Sequence, residues 1–241
     1  MTEQKAAERM ARAVADIRAR MADAARAAGR APGQVLLCAA CKTRTVEEVR
    51  YSAGLDIDLF GENHEQELTE KADAGAYLHK PCHFIGHLQT NKVNRVVGRA
   101  AMIESVDSEH LLQKIEAAAG RLGLVQDILI EVNIGGEASK SGVCPEGLWP
   151  LAEAAEAAPH LRLRGLMAIP PAGAGADETR AFFADMRRLL TRLQEKRYAR
   201  ALPDTLSMGM SGDFEAAIRE GATIVRIGTA IYGPRNYGPR P

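Results

Sequence analysis

A lysine at the end of an apolar stretch is the first residue that could do chemistry. If residues 35–42 are extended, side-chain alternation places Lys42 on the same face as Cys38 and Ala40. A lysine amine that is partly removed from water can lose its proton and form a Schiff base with an aldehyde. The alternative is a lysine that ends a strand and reaches into water. Taken alone, the residue types favour that alternative.

Two turns in residues 206–233 suit a phosphate. Each follows a strand-like segment and opens a helical one, and the residues at these junctions are Ser211 and Gly212 in the first turn and Gly228 and Thr229 in the second. Free backbone N–H groups and the positive end of the helix dipole meet at such points. Two such turns in succession predict a phosphate-binding site.

Arg226 lies between these turns, in the strand-like segment 223–228. An arginine on the inner face of a strand needs a partner, because an unpaired buried charge is costly. We expect either an ion pair with a carboxylate such as Glu131 or Glu62, or a contact with a bound ligand. Asn63, at the end of an earlier strand-like segment, could offer an amide to the same place.

These residues belong to a strand–helix pattern that repeats from residue 35 onward. The predicted strands are residues 35–41, 58–61, 82–86, 102–106, 128–133, 161–169, 205–208 and 223–228, with helical patterns near 45–53, 64–74, 90–99, 108–122, 146–157, 177–196 and 211–220. Eight βα units predict an α/β fold, a single (β/α)8 TIM barrel, with a doubly wound open sheet as the alternative. Two successive phosphate-ready turns favour the barrel, because barrels often bind phosphate after strands seven and eight.

The N-terminal segment, residues 3–30, is predicted as an extra helix packed on the barrel. Its apolar stripe has spacings of four and three residues and consists of Met10, Val14, Ile17, Met21, Ala24 and Ala28. A coiled-coil dimer contact is the alternative, and the short, Ala-rich stripe argues against it. We therefore expect residues 1–241 to form one domain, as a monomer, with a weak dimer as the second choice.

Composition excludes several classes of function. The 241 residues include 46% hydrophobic residues, and Lys+Arg equals Asp+Glu at 31 each, so the net charge is zero. There is no basic excess to favour nucleic acid or an anionic membrane. No apolar run approaches the roughly 18 residues of a spanning helix, and the N-terminus lacks the apolar core of a secretory signal. We expect a soluble, cytoplasmic protein.

Three polar patterns do not predict a site of their own. Cys38 and Cys41 are spaced like a redox pair, but in a strand their sulfurs point to opposite faces. Residues 83–92 are interpreted as an ordinary surface turn. The third pattern consists of histidines spaced by four residues, His79, His83 and His87. Pro81 prevents a helix that would place them on one face, so no metal site is expected.

Taken together, the motifs resemble those of the pyridoxal phosphate homeostasis protein family, also called the proline synthase co-transcribed family, which is related to the barrel domain of alanine racemase. The resemblance covers nearly the whole chain. It is carried by CKT at 41–43, GEN at 61–63, HFIGHLQTNK at 83–92, SKSG at 139–142, RGLMAIP at 164–170, SMGMSGD at 207–213 and RIGTAIYG at 226–233.

The resemblance implies pyridoxal 5'-phosphate as the cofactor and assigns its binding residues. Lys42 corresponds to the Schiff-base lysine, and Arg226 to the arginine that faces the pyridine nitrogen. Asn63 matches the asparagine of the second strand. The phosphate cradle comprises Ser211, Gly212, Gly228 and Thr229, and the pocket is also lined by Ser207 and Met208.

The chain departs from the family pattern at three positions. Cys41 stands where serine is usual, His87 where proline is common, and Glu104 where histidine is frequent. None of them is expected to change the assignment of the site residues, although Cys41 beside the lysine could make the site sensitive to oxidation. Lys140 is a candidate second lysine for cofactor transfer, and a solvated loop lysine is the simpler interpretation.

The implied arginine limits the chemistry. A guanidinium keeps its proton near neutral pH, so the pyridine nitrogen that it faces stays unprotonated and the ring is a weaker electron sink. Alanine racemase shares this arrangement but adds a tyrosine base from a second domain, and only a few residues follow Tyr232 here. The resemblance thus implies a non-catalytic protein that carries or buffers the cofactor in vitamin B6 homeostasis.

Two other functions remain open. One is a pyridoxal-phosphate-dependent racemase or decarboxylase of limited activity. The other, independent of the resemblance, is a barrel enzyme that acts on a phosphorylated metabolite, with Lys42 in an aldolase-like role. For the carrier, apo-enzymes that use the cofactor are the expected recipients.

Overall fold

Eight parallel strands form a closed barrel in the computed structural model, which describes residues 3–234. Each strand pairs with the next along the chain, and the last closes the barrel against the first, with Cys38 opposite Arg226. The strands are β1 (Leu36–Ala40), β2 (Leu59–Glu62), β3 (Cys82–Phe84), β4 (Met102–Val106), β5 (Gln126–Glu131), β6 (Leu161–Met167), β7 (Thr205–Ser207) and β8 (Ile224–Ile227). The predicted (β/α)8 barrel is confirmed, and the open sheet is excluded.

Helices surround this barrel. They are α1 (Glu3–Ala27), α2 (Val46–Ala53), α3 (Glu65–Asp73), α4 (Val93–Val96), α5 (Glu109–Leu122), α6 (Leu148–Ala157), α7 (Ala176–Glu195), α8 (Phe214–Arg219) and α9 (Thr229–Tyr232). The prediction of a helix over 90–99 was too long. A 3-10 turn at Thr90–Lys92 precedes α4, and Val97 leaves the helical region with ψ of 130° to bridge to Ala100.

The barrel separates two apolar layers, which explains the orientation of the first strand. Cys38 packs inside the barrel in a small cluster with Leu59 and Ile224, whereas Cys41 belongs to the large core between strands and helices. The two cysteines therefore face opposite sides, as predicted. Because side chains alternate along a strand, the face that carries Cys38 continues to Lys42 at the barrel mouth.

Helix α1 packs on the barrel, as predicted, close to α8 and α9. Five residues of the stripe are buried in the main core: Met10, Val14, Ile17, Met21 and Ala24. Ala28 is half-buried and follows the last helical residue. Arg20 Nε donates a hydrogen bond to Glu215 Oε1 at 2.9 Å, and Arg9 Nη2 donates one to the Tyr232 carbonyl at 2.6 Å. Within residues 3–234, no helix has the length and apolar character needed to cross a membrane.

Candidate functional site

A cavity of about 240 Å³ opens at the carboxyl ends of the strands. Seven of the nine residues expected at the site line it: Lys42, Asn63, Ser211, Gly212, Arg226, Gly228 and Thr229. They come from loops that follow β1, β2, β7 and β8 and from β8 itself, so positions separated by more than 180 residues in sequence meet at one mouth. The remaining lining residues are Ala40, Arg44, Ile85, Ile169 and Met210.

The other two expected residues do not line the cavity. Met208 is fully buried in the core between strands and helices, so its expected place in the pocket wall was wrong. Ser207 is also fully buried, and its hydroxyl contacts Arg226 instead of the cavity. Both follow from strand alternation: Ser207 points into the barrel below the mouth and Met208 points out of it.

The cavity is rich in positive charge. Its lining contains three cations, Lys42, Arg44 and Arg226, and the hydroxyl-bearing Ser211 and Thr229, with no carboxylate among the described residues that line it. Gly228 occupies the N-cap position of α9, and the Ser211 hydroxyl accepts from the Ala230 N–H at 3.4 Å. This set of donors suits an anion, and a phosphate in particular.

Arg44 is a lining residue that the sequence analysis missed. Its Nη2 donates to the carbonyl of Gly233 at 2.7 Å, and its guanidinium lies 5.4 Å from the centre of the Tyr232 ring. The residue therefore ties the loop after β1 to the end of α9 and closes one side of the cavity. A second basic residue two positions after Lys42 was the signal that could have indicated it.

Arg226 is the first member of a buried polar chain inside the barrel. Its Nη1 donates to Ser207 Oγ at 2.5 Å and its Nη2 to the Ala168 carbonyl at 3.0 Å. Ser207 Oγ donates in turn to Glu104 Oε2 at 2.6 Å, and Glu104 Oε1 lies 2.7 Å from His83 Nδ1. Burial alone would raise the pKa of Glu104, but the contacts with His83, Arg226 and Ser207 bring that pKa below its usual value.

This polar chain corrects two expectations, the carboxylate partner of Arg226 and the surface position of His83. Arg226 is paired through Ser207 with Glu104, 3.9 Å away, and not with Glu62 or Glu131. Glu104, one of the three departures from the family pattern, supports one of the cations of the site. His83 belongs to β3 and is buried, so it is not part of a surface turn. Spacing in the sequence could not show these contacts, because His83 and Glu104 meet Arg226 only when the barrel closes.

The two carboxylates first considered for Arg226 lie elsewhere. Glu62 is fully buried on the outer side of the sheet, where its Oε1 accepts from Lys71 at 2.6 Å and from the Cys41 thiol at 2.9 Å.

Burial raises the pKa of Cys41 well above its ordinary value. A thiol that resists ionisation is a poor target for oxidants. The expected oxidation sensitivity of Cys41 therefore has no support in its surroundings.

A second cavity, of about 230 Å³, adjoins the first and shares Asn63, Ile85 and Ile169 with it. Glu131 lines it, and burial, together with the nearby Asp107 carboxylate, raises the pKa of Glu131 to about 7.

Lys140 also lines the second cavity. Its Nζ contacts the Pro170 carbonyl at 2.8 Å and Glu137 Oε2 at 2.6 Å, and 27% of its side chain is exposed. It is thus a paired lysine beside the first cavity, not one surrounded by solvent.

The fold and the site define a (β/α)8 barrel with a cation-lined cavity at the carboxyl ends of its strands. The comparisons with known proteins agree with this class. The family described as alanine racemase, N-terminal domain, matches residues 14–236. A pyridoxal phosphate homeostasis protein of Pseudomonas aeruginosa is 45% identical over 227 residues, which cover 93% of this chain and 95% of that protein. One from Aquifex aeolicus is 44% identical over 218 residues, which cover 90% of this chain and 95% of that protein.

The chain therefore belongs to the pyridoxal phosphate homeostasis protein family, which confirms the resemblance seen in the sequence. Among solved structures, PipY of Synechococcus elongatus with PLP bound is 30% identical to this chain. The match has a TM-score of 0.80 and covers 93% of this chain and all of that one.

Proposed function

We propose that this protein binds pyridoxal 5'-phosphate as a Schiff base on Lys42 and carries or buffers it in vitamin B6 homeostasis, without substantial catalysis. The observation that carries the proposal is the meeting of Lys42 with Ser211, Gly212, Gly228 and Thr229 around one cation-rich cavity. Pyridoxal phosphate supplies an aldehyde that condenses with an amine, and a pyridine ring that can withdraw electrons.

The described residues fit this group. A cavity of about 240 Å³ is smaller than the roughly 300–1,000 Å³ of sites for drug-sized ligands and suits a molecule with one ring. The hydroxyls of Ser211 and Thr229 offer hydrogen bonds to a phosphate. Asn63 Oδ1 is buried and has no hydrogen-bond partner in residues 3–234, so it would accept a hydrogen bond from a ligand hydroxyl.

The non-catalytic part of the proposal rests on Arg226. Its guanidinium lines the cavity and is 4% exposed, and a guanidinium offers only hydrogen-bond donors and no acceptor. A permanently protonated group beside a pyridine nitrogen donates to that nitrogen and leaves it without a proton of its own. The ring is then less able to stabilise negative charge on a bound amino acid, which disfavours racemisation and decarboxylation.

The proposal is tested first by adding pyridoxal phosphate to the cofactor-free protein. Wild type should develop the absorption band of a lysine Schiff base, and borohydride should leave a pyridoxyl group on Lys42. Lys42→Ala should lose both signals. Lys114→Ala, which changes an exposed lysine of α5, is the matched control and should keep them. A wild-type protein with neither band nor adduct on Lys42 would overturn the proposal.

The second test separates a carrier from a racemase or decarboxylase of limited activity. Holo-protein is incubated in deuterated water with L-alanine and other amino acids, and α-proton exchange is followed by NMR. A carrier should exchange no faster than free pyridoxal phosphate. Exchange at enzyme-like rates that depends on Lys42 would favour the racemase instead.

Recipients and location stay predictions. Apo-enzymes that use pyridoxal phosphate are the proposed recipients, because a Schiff base can be passed to another lysine by amine exchange. Lys140, beside the first cavity, is the proposed second lysine for that exchange. A cytoplasmic location and a monomeric state also remain predictions from the sequence.

A further inference from the structure

The turn that carries Lys42 contains a strained residue. The N–H of Arg44 donates to the carbonyl of Cys41 at 3.2 Å, so residues 41–44 form a turn with Lys42 in its second position. Thr43 follows with φ of +63°, in the left-handed region. A β-branched side chain rarely adopts that conformation, which persists only where surrounding contacts hold it.

One ion pair on α3 holds the main chain on both sides of Lys42. Lys71 Nζ donates to the Cys41 carbonyl at 2.8 Å, immediately before the lysine. Glu67 Oε2 accepts from the Thr43 N–H at 2.7 Å, immediately after it. Lys71 and Glu67 lie one helical turn apart and pair with each other at 2.8 Å. The pair therefore clamps the peptide groups that flank Lys42.

Lys71 is a charged residue that is almost completely buried. Its side chain is 2% exposed, and its third partner is the fully buried Glu62, at 2.6 Å. Burial would lower the pKa of Lys71, but Glu62 raises it above its ordinary value, so the amine stays charged. Buried ion pairs often stabilise a fold no better than apolar side chains would. A role in selecting one conformation of the turn accounts better for this arrangement.

We propose that Lys71 and Glu67 are positioning residues that hold the strained turn and so aim Lys42 into the cavity. The inference rests on the proposed function, because the consequence concerns the Schiff base on Lys42. With the clamp in place the lysine is pre-organised, and little conformational freedom is lost when the cofactor binds. Without it, Thr43 relaxes toward negative φ, Lys42 leaves its position, and the cofactor is released sooner.

Glu67→Ala is the variant that tests the clamp, because Lys71 then keeps Glu62 as its counter-ion and no buried charge is left alone. Glu70→Ala, an exposed glutamate on the same helix, is the matched control. The Glu67 side chain is 23% exposed, so its hydrogen bond to Thr43 should contribute about as much as an ordinary one, and its loss should speed release of pyridoxal phosphate about twofold to tenfold. Release is followed as loss of the protein-bound Schiff-base absorption while free pyridoxal phosphate is removed by continuous ultrafiltration against cofactor-free buffer. Glu70→Ala should match wild type.

A second substitution separates positioning from general destabilisation. Glycine adopts positive φ without strain, so Thr43→Gly should make the turn independent of the clamp. Glu67→Ala should then change the release rate by less than about twofold in the Thr43→Gly background. Equal effects of Glu67→Ala in both backgrounds would overturn the inference, because a purely structural role predicts additivity.

A third measurement needs no cofactor. Hydrogen exchange at the Thr43 amide should accelerate in cofactor-free Glu67→Ala and not in Glu70→Ala. This result separates the two proposals. If the exchange rises but wild type forms no adduct on Lys42, the proposed function fails while the clamp stands. If wild type forms the adduct and neither release nor exchange changes in Glu67→Ala, the clamp alone is overturned.

Discussion

Arg226 donates to the Ser207 hydroxyl at 2.5 Å, at a depth where the arginine is 4% exposed and the serine fully buried. Ser207 donates onward to Glu104, so its hydroxyl bridges a buried carboxylate and the Arg226 guanidinium at the cavity wall. Hydrogen bonds in such a chain polarise one another. The orientation of Arg226 thus depends on Ser207, which does not line the cavity.

The first prediction concerns this hydroxyl. Ser207→Ala leaves Arg226 Nη1 and Glu104 Oε2 without their shared partner, 3.9 Å apart. We expect the free energy of unfolding to fall by about 1–3 kcal/mol, because buried polar groups lose a hydrogen bond. In holo-protein the Schiff-base band should also shift, because Arg226 is no longer held in place. Denaturant unfolding and absorption spectra measure the two effects.

Ser105→Ala is the matched control. Ser105 lies in β4 and is fully buried, but its hydroxyl has no hydrogen-bond partner within residues 3–234. Its removal should leave stability unchanged or slightly higher and the spectrum unaltered. Equal losses in the two serine variants would mean that the bond to Arg226 contributes nothing specific.

The second prediction is a pH dependence of stability from Glu131. Burial raises its pKa in the folded protein from an ordinary 4.5 to about 7. Below pH 4.5 the carboxyl is protonated in both states and carries no penalty. Between pH 4.5 and about 7 the unfolded state loses its proton first, so stability falls as pH rises, by roughly 3 kcal/mol in all. Above about pH 7 this contribution is constant.

Glu131→Gln tests that contribution. The amide does not titrate, so the variant should lose this decline and be more stable than wild type above pH 7. Denaturant unfolding at several pH values between 4.5 and 8 measures the difference. Glu109→Gln, which changes an exposed residue of α5, is the control and should keep the wild-type profile. A difference between Glu131→Gln and wild type that does not vary with pH would contradict the assignment.

The third prediction concerns Gly86, which packs against the main chain of Asn63. A Cβ at this position would collide with the Asn63 carbonyl and lie 2.6 Å from its Cα. Gly86→Ala must therefore displace the end of β2, at a cost of about 1–3 kcal/mol. We expect weaker cofactor binding as well, because Asn63 Oδ1, the proposed acceptor for a ligand hydroxyl, moves with the main chain. Gly33→Ala, with no atom within 4 Å of its Cβ, should change neither unfolding nor affinity.

The sequence predicted what depends on local pattern. Alternation along one strand gave the orientation of Lys42 relative to Cys38 and Cys41, and the strand–helix repeat gave the barrel. It could not predict that Glu104 supports Arg226, because a contact between residues 122 positions apart depends on which strands face each other across the barrel. Nor could it predict the positive φ of Thr43, since threonine disfavours it and the holding contacts come from α3.

The last prediction tests the proposed role of Arg226 in suppressing catalysis. A carboxyl at this position should let the pyridine nitrogen take a proton, which strengthens the ring as an electron sink. Arg226→Glu alone would place two carboxyls side by side in the barrel, with Glu104 as the neighbour, so the variant to make is Arg226→Glu combined with Glu104→Gln. The double variant should exchange the α-proton of L-alanine at least about tenfold faster than wild type. This rate corresponds to an activation free energy that is lower by roughly 1.4 kcal/mol or more.

Glu104→Gln alone is the control, because it removes the same carboxylate but keeps the arginine, and its exchange rate should stay near wild type. NMR in deuterated water measures the exchange, and the Schiff-base band confirms that each variant holds the cofactor. A double variant that binds the cofactor but exchanges no faster than wild type would show that Arg226 does not limit the chemistry. Arg226 would then be a binding residue only, and the proposed lack of catalysis would need another cause.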